Sequence, residues 1–114
     1  MVERLRRLLR ERRGACFVAT KQVKNEIVGW VHVSTSPLLE VEFRAEINGL
    51  VVDEHARSQG AGALLLDAAE KWAKRAGAKS MSVRSNVLRE RAHSFYERNG
   101  YEHYKTQKAF RKNL

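Results

Sequence analysis

Cysteine and proline are nearly missing from this chain: of 114 residues, Cys16 is the one cysteine and Pro37 the one proline. A single thiol excludes an intrachain disulfide framework and any multi-cysteine metal site. It gives no reason to leave a reducing compartment, so a cytoplasmic location is expected. No apolar run approaches the ~20 residues of a membrane span, and no apolar stretch at the N-terminus reads as a secretory signal. Acidic residues are scarce too: 13 Asp+Glu face 22 Lys+Arg, a formal net charge of +9. Such a surface suits nucleic acid, an anionic membrane or a phosphate-bearing small molecule, and charge alone does not choose among them. With 43% hydrophobic and 31% charged residues the composition is globular rather than disordered, and the length favours one compact domain over residues 1–114.

Residues 2–13 place Val2, Leu5, Leu8 and Leu9 at helical spacing among six arginines, with Gly14 as a stop, and predict an amphipathic helix docked on a sheet. Cys16–Thr20 and the segment Glu26–Ser34 then read as strands. A longer strand follows from Glu40 to Val52, with Val41, Phe43, Ala45 and Ile47 on one face and Glu40, Glu42, Arg44, Glu46 and Asn48 on the other. Alternation ends at Asn48-Gly49, and a glycine at a change of phase suggests a bulge or a close backbone approach. Residues 60–76 predict a helix with Ala61, Leu64, Leu65, Ala68, Ala69 and Trp72 on one stripe, ended by Gly77. A short strand over Ser80–Arg84, a helix over about Arg89–Arg98, and one or two strands within Tyr101–Leu114 complete the order α-β-β-β-α-β-α-β(-β). Trp30 and Trp72 are expected in the core, and Cys16 as a buried strand thiol.

The segment Val51–Leu66 carries the most chemical information. A strand runs into a turn bearing Arg57, Gly60 and Gly62 and then directly into an amphipathic helix, which aims a helix N-terminus and its unpaired N–H groups at one spot. Glycine lets an anion approach the backbone, and Arg57 adds a charged donor, so the product is a cradle suited to a pyrophosphate. No Gly-Lys-Ser/Thr follows, which excludes a P-loop, and Leu65 occupies the third glycine position of a dinucleotide-binding loop. His55 and His93 have no partners at metal-ligand spacing, so no metal is assigned.

What remains is Arg-x-x-Gly-x-Gly after an apolar strand, Arg57-Ser58-Gln59-Gly60-Ala61-Gly62. Here the sequence resembles the GNAT superfamily, the acyl-CoA-dependent N-acetyltransferases. Downstream, Asn86 follows the next strand, and Arg91 to Tyr101 resembles that family's A-x-x-F-Y-x-x-x-G-F/Y signature, carried by Ala92, Phe95, Tyr96, Gly100 and Tyr101. The resemblance implies the GNAT fold: an α/β (α+β) architecture with a central mixed, mostly antiparallel sheet, splayed at the cofactor site and flanked by helices. It implies acetyl-CoA as co-substrate, with Gln59, Gly60, Ala61, Gly62 and Ala63 supplying backbone N–H groups to the pyrophosphate and Arg57 its side chain. The pantetheine arm would pair with the backbone of Leu50, Val51 and Val52, and Asn86 would contact the cofactor across the splay.

The implied reaction is direct attack of a primary amine on the thioester in a ternary complex. An alkylammonium has a pKa of about 10.4, so a base is needed, and a departing thiolate, about 8.5 for a free thiol, gains from a donor. Tyr96 matches the family's tyrosine that protonates the leaving sulfur, and Glu46 the glutamate that serves as base, with Glu42 next. The Val52 N–H would polarise the carbonyl. The acceptor is a small-molecule or peptide amine whose identity stays open. Nucleic acid as a partner is disfavoured, because there is no basic stripe interleaved with aromatics and no zinc-finger spacing. The alternative is a non-catalytic acyl-CoA-binding sensor or regulatory module of the same fold.

The sequence departs from the family pattern in three ways. It lacks the usual first strand and helix, Ser58 stands where glycine is common, and Arg89 where a second asparagine is frequent. The first leaves the strand at Cys16–Thr20 as a candidate open edge, to be covered by the N-terminal helix or by a second subunit in a homodimer.

Overall fold

A computed structural model describes residues 2–11, 13–21, 26–36, 43–54, 60–85 and 90–114. Contacts divide the chain into two units, Met1–Arg84 and Ser85–Leu114, and each is described by itself. The first unit is a five-stranded sheet in the order β1-β2-β3-β4-β5, with one helix laid on it. Its strands are β1 (Val2–Glu11), β2 (Gly14–Lys21), β3 (Ile27–Ser36), β4 (Arg44–Val52) and β5 (Ser80–Val83), and helix α1 spans Ala61–Arg75. The first four strands pair antiparallel and β5 joins β4 in parallel. A parallel pair needs a crossover, and α1 supplies it. The second unit contains helix α2 (Glu90–Arg98).

The N-terminal segment corrects the sequence reading, because residues 2–11 form a strand where a helix is predicted. The ladder to β2 skips Glu3 and Leu8, moving from Val2↔Lys21 to Arg4↔Thr20 and from Arg7↔Phe17 to Leu9↔Cys16. Each bulge shifts the two-residue period by one, so a twice-bulged strand carries leucines at the three-residue spacing that mimics a helix. The edge of β2 is therefore covered by the N-terminal segment, as a strand rather than as a helix.

Alternation along β3 and β4 settles which face is the core. Val31, Val33, Ala45 and Ile47 are buried on the side that receives α1, together with Ala15 and Ala19 from β2, while Val18 is buried on the opposite face beside Trp30. From α1 the buried residues are Ala61, Leu65, Leu66, Ala69, Trp72 and Ala73. Leu64, expected on that stripe, is exposed. Three consecutive leucines leave the phase of the helix open, and the contact chosen places Leu65 and Leu66 inward. Gly29 permits the closest approach: a Cβ there would meet Val51 O at 2.8 Å and Leu65 Cδ1 at 3.1 Å. The start of α1 is thereby seated against the far ends of β3 and β4.

Both helices stop on the same device. At the end of α1, Gly77 adopts φ 96 while its N–H donates to Lys74 O and that of Ala78 to Ala73 O. At the end of α2, Gly100 adopts φ 89, its N–H donates to Glu97 O and that of Tyr101 to Tyr96 O. Both are Schellman caps, which place glycine in the left-handed conformation to satisfy the last carbonyls.

Three further expectations are corrected. Residues 101–114 form no strand; all but Tyr101 are exposed, and Phe110 and Leu114 bury nothing that could anchor a ladder. Trp72 lies in the core, but Trp30 is exposed on the opposite face of the sheet, its ring directly over Gly49. Cys16 is half-buried on β2 rather than buried, and burial pushes its thiol pKa up.

Candidate active site

The bulge expected at the phase change on β4 is present. Pairing with β3 passes from Val33↔Ile47 to His32↔Gly49, leaving Asn48 as the extra residue. Gly49 is the only residue type that fits beneath Trp30, since a Cβ would stand 2.7 Å from two ring carbons. The Asn48 amide donates to Ser34 Oγ at 2.8 Å, which holds the displaced residue against β3. A bulge bends its strand and raises the local twist.

That bend falls where β5 ends alongside β4. The parallel ladder between β4 and β5 runs from Arg44↔Ser80 to Ile47↔Val83 and goes no further. β4 continues for five residues, Asn48 to Val52, paired with β3 as far as Gly29↔Val52. Leu50, Val51 and Val52 thus lie on the stretch of β4 that runs on past the end of β5. Val51 is exposed on the face of Trp30, its cross-strand partner.

Beyond Asp53, whose N–H donates to Val28 O, the chain reaches Gly60 at the start of α1. Gly60 has φ 79 and ψ 11, a left-handed conformation, and open space surrounds the position of its missing Cβ among the described residues. The first helical bond runs from Leu64 N–H to Gly60 O, so the N–H groups of Ala61, Gly62 and Ala63 have no intrahelical acceptor. No acidic side chain occupies the first turn and no side chain caps it among the described residues, so none of these offsets the positive end of the helix dipole. Arg57, Gln59 and Asn86 lie outside the described residues, as do Ser58, Arg89, His55, Pro37 and the Glu40–Glu42 part of the strand.

Glu46 stands on the face of the sheet opposite α1, beside Ser34 on β3 and Ser82 on β5. Its carboxylate oxygen lies 3.4 Å from Arg84 Nη1, with the arginine side chain 82% and the glutamate 35% exposed. An ion pair this exposed contributes at most about 1 kcal/mol; its consequence is that Arg84 shares the carboxylate proposed as base. Sequence reasoning missed Arg84, although a signal was there: Ser80, Ser82 and Arg84 alternate, and the parallel register brings that polar row beside Glu46. Among the described residues no group of three or more His, Cys, Asp or Glu side chains gathers to hold a metal ion.

Tyr96 belongs to the second unit, three-quarters of the way along α2. Its ring meets Phe95 edge-to-face at 5.2 Å between centroids and Tyr101 at 5.8 Å, with interplanar angles of 71° and 64°. The side chain is half-buried.

The layout is a mixed sheet in which one strand runs past the end of its parallel neighbour toward a glycine-led helix. An aminoglycoside N-acetyltransferase, AAC(6')-Iy, solved in complex with CoA, shares the fold at a TM-score of 0.79 and 17% identity, over 91% of this chain and 70% of that one. The model of the acetyltransferase (GNAT) family matches residues 1–101. The chain belongs to that family. An uncharacterized N-acetyltransferase of Bacillus subtilis, YhfO, is 45% identical over 49% of this chain and 38% of its own length. The aminoalkylphosphonate N-acetyltransferase of Salmonella typhimurium is 37% identical over 74% of this chain and 56% of its own. The chain thus spans about half the length, or less, of these relatives. Among the described residues no helix is long and apolar enough to cross a membrane.

Proposed function

We propose that residues 1–114 act as one domain that transfers an acetyl group from acetyl-CoA to a primary amine within a ternary complex. The observation that carries this reading is the end of the β4–β5 ladder at Ile47↔Val83 while β4 runs on toward the left-handed Gly60. A strand that continues beyond the end of its neighbour can take an extended amide-bearing arm alongside it, as in strand addition, and Leu50, Val51 and Val52 are the residues that would receive it. The amides of Gly60, Ala61, Gly62 and Ala63, joined by Gln59, the Arg57 side chain and Asn86, would hold the diphosphate end and the coenzyme beside it.

Acetyl-CoA supplies an activated acyl group, and the chain's own residues manage protons and orientation. Glu46 accepts one proton from the substrate ammonium, directly or through water, and the neutral amine nitrogen then bonds to the carbonyl carbon as the carbon–sulfur bond breaks; the second proton that nitrogen sheds on becoming an amide passes through water to restore the Tyr96 phenol. Tyr96 donates its phenolic proton to the departing sulfur; a phenol with a pKa of about 10 keeps that proton at neutral pH. For the acceptor, a small amine carrying an anionic group suits a chain of net charge +9, and the Salmonella relative is named for aminoalkylphosphonates.

The test is release of free CoA thiol from acetyl-CoA over a panel of aminoalkylphosphonates, aminoglycosides and peptide amines. Turnover with at least one amine, lost in Tyr96→Phe at saturating acetyl-CoA, is expected. Tight binding of acetyl-CoA with no thiol release over the whole panel would contradict transfer.

A further inference from the structure

The family signature ends in Gly100-Tyr101, two residues with no part in the proton transfers. The hydrogen bonds show what they do. Tyr96 is the third residue from the end of α2, and its carbonyl accepts from both Asn99 N–H and Tyr101 N–H, each at 3.0 Å. Asn99 N–H, spent on Tyr96, leaves the Phe95 carbonyl without its usual helical donor. The Asn99 side-chain amide replaces that donor at 2.8 Å. Gly100, at φ 89, turns the chain so that Tyr101 comes back along the helix. In a Schellman cap the residue after the glycine makes a hydrophobic contact with the third-last helical residue, and here that contact is the edge-to-face pair of Tyr101 with Tyr96. With a second edge-to-face contact to Phe95, the Tyr96 ring has two aromatic neighbours at steep angles, an arrangement that favours one ring orientation.

We propose that Tyr101 is a positioning residue, seated by the Asn99-Gly100 turn, whose ring fixes the direction in which the Tyr96 phenol points. The proposal rests on the reading of Tyr96 as the acid for the leaving sulfur. It assigns Tyr101 no contact with substrate: its ring matters and its hydroxyl does not.

The experiment titrates the thiol of bound coenzyme A, followed by thiolate ultraviolet absorbance, in the full chain. A phenol donating to the sulfur favours the thiolate and lowers the thiol pKa. The bound thiol is expected to ionise at lower pH in the wild type than in Tyr96→Phe. Tyr101→Ala should move it to the Tyr96→Phe position, Tyr101→Phe should retain the wild-type value, and Tyr96→Phe/Tyr101→Ala should show no further shift. Melting curves identify any variant that unfolds, and Tyr101→Leu, which keeps apolar bulk without an aromatic edge, then takes the place of Tyr101→Ala. If Tyr101→Ala or Tyr101→Leu leaves the titration at the wild-type position while Tyr96→Phe shifts it, Tyr101 has no positioning role. If Tyr96→Phe itself causes no shift, the acid reading falls, and the positioning role falls with it.

Discussion

Gly60 and Gly100 adopt nearly the same backbone conformation, φ 79 and φ 89, and at neither would a Cβ meet another atom within 4 Å. They stand at opposite ends of a helix, and this reverses what they do. Gly100 follows the last turn of α2 and turns backbone N–H groups onto the orphan carbonyls, closing the end. Gly60 precedes the first turn of α1, where N–H groups are in surplus, and brings no side chain to cap them. One glycine closes a helix end by hydrogen bonds; the other opens a helix whose first three N–H groups have no intrahelical acceptor. The same residue type with a similar positive φ is therefore a cap at one end, and at the other stands where we propose that an anion binds.

The sharpest way to break the comparison is to substitute both glycines alike. Valine at either site costs at least about 1–2 kcal/mol of left-handed strain. Gly60→Val should also remove the heat of coenzyme A binding in calorimetry, whereas Gly100→Val should lower the melting temperature and leave that heat in place. Equal loss of binding in both variants would erase the distinction.

A second contrast concerns seating. α1 is pinned by buried Trp72, only 6% exposed, while no side chain of α2 is buried. Trp72→Ala should destabilise the protein by about 3–5 kcal/mol in denaturant melts. A loss of similar size from Phe95→Ala would show that α2 is seated as firmly.

Glu46→Gln should lower turnover by about a hundredfold and flatten the rising limb of the pH–rate profile. Arg84→Gln, which removes only the ion-pair partner, should leave the limb in place. An unaltered profile in Glu46→Gln would assign the base role elsewhere.

The smallest effect concerns Cys16. Burial raises its thiol pKa above the ordinary 9.0, so the folded state holds the proton more tightly than the unfolded chain does. That contribution to stability is complete below the ordinary pKa and is lost as pH rises through the folded-state value. Stability should fall slightly more at alkaline pH in the wild type than in Cys16→Ala, as measured by urea melts at neutral and alkaline pH.

How much of this was legible beforehand depended on whether the pattern had one physical cause. The β4 bulge was readable because a phase break and a glycine fell together at Asn48-Gly49. The ends of α1 and α2 were readable because Gly77 and Gly100 have one common use after a helix. At β1 the sequence misleads, because two bulges give a strand the spacing of a helix and no glycine marks either of them. Leu64 was placed inward because three leucines in a row carry no phase. The strands expected after Tyr101 assumed pairing partners that local propensity does not supply. Gly60 is legible as a helix start. The pairing of Glu46 with Arg84 is not, since it needs the parallel register of two strands separated by a helix.

The most direct test is a crystal structure of the chain grown with coenzyme A. The account predicts the diphosphate within hydrogen-bond reach of the main-chain amides that open α1, with the pantetheine arm alongside Leu50, Val51 and Val52. Coenzyme A bound at any other place, with these amides facing only solvent, would contradict it.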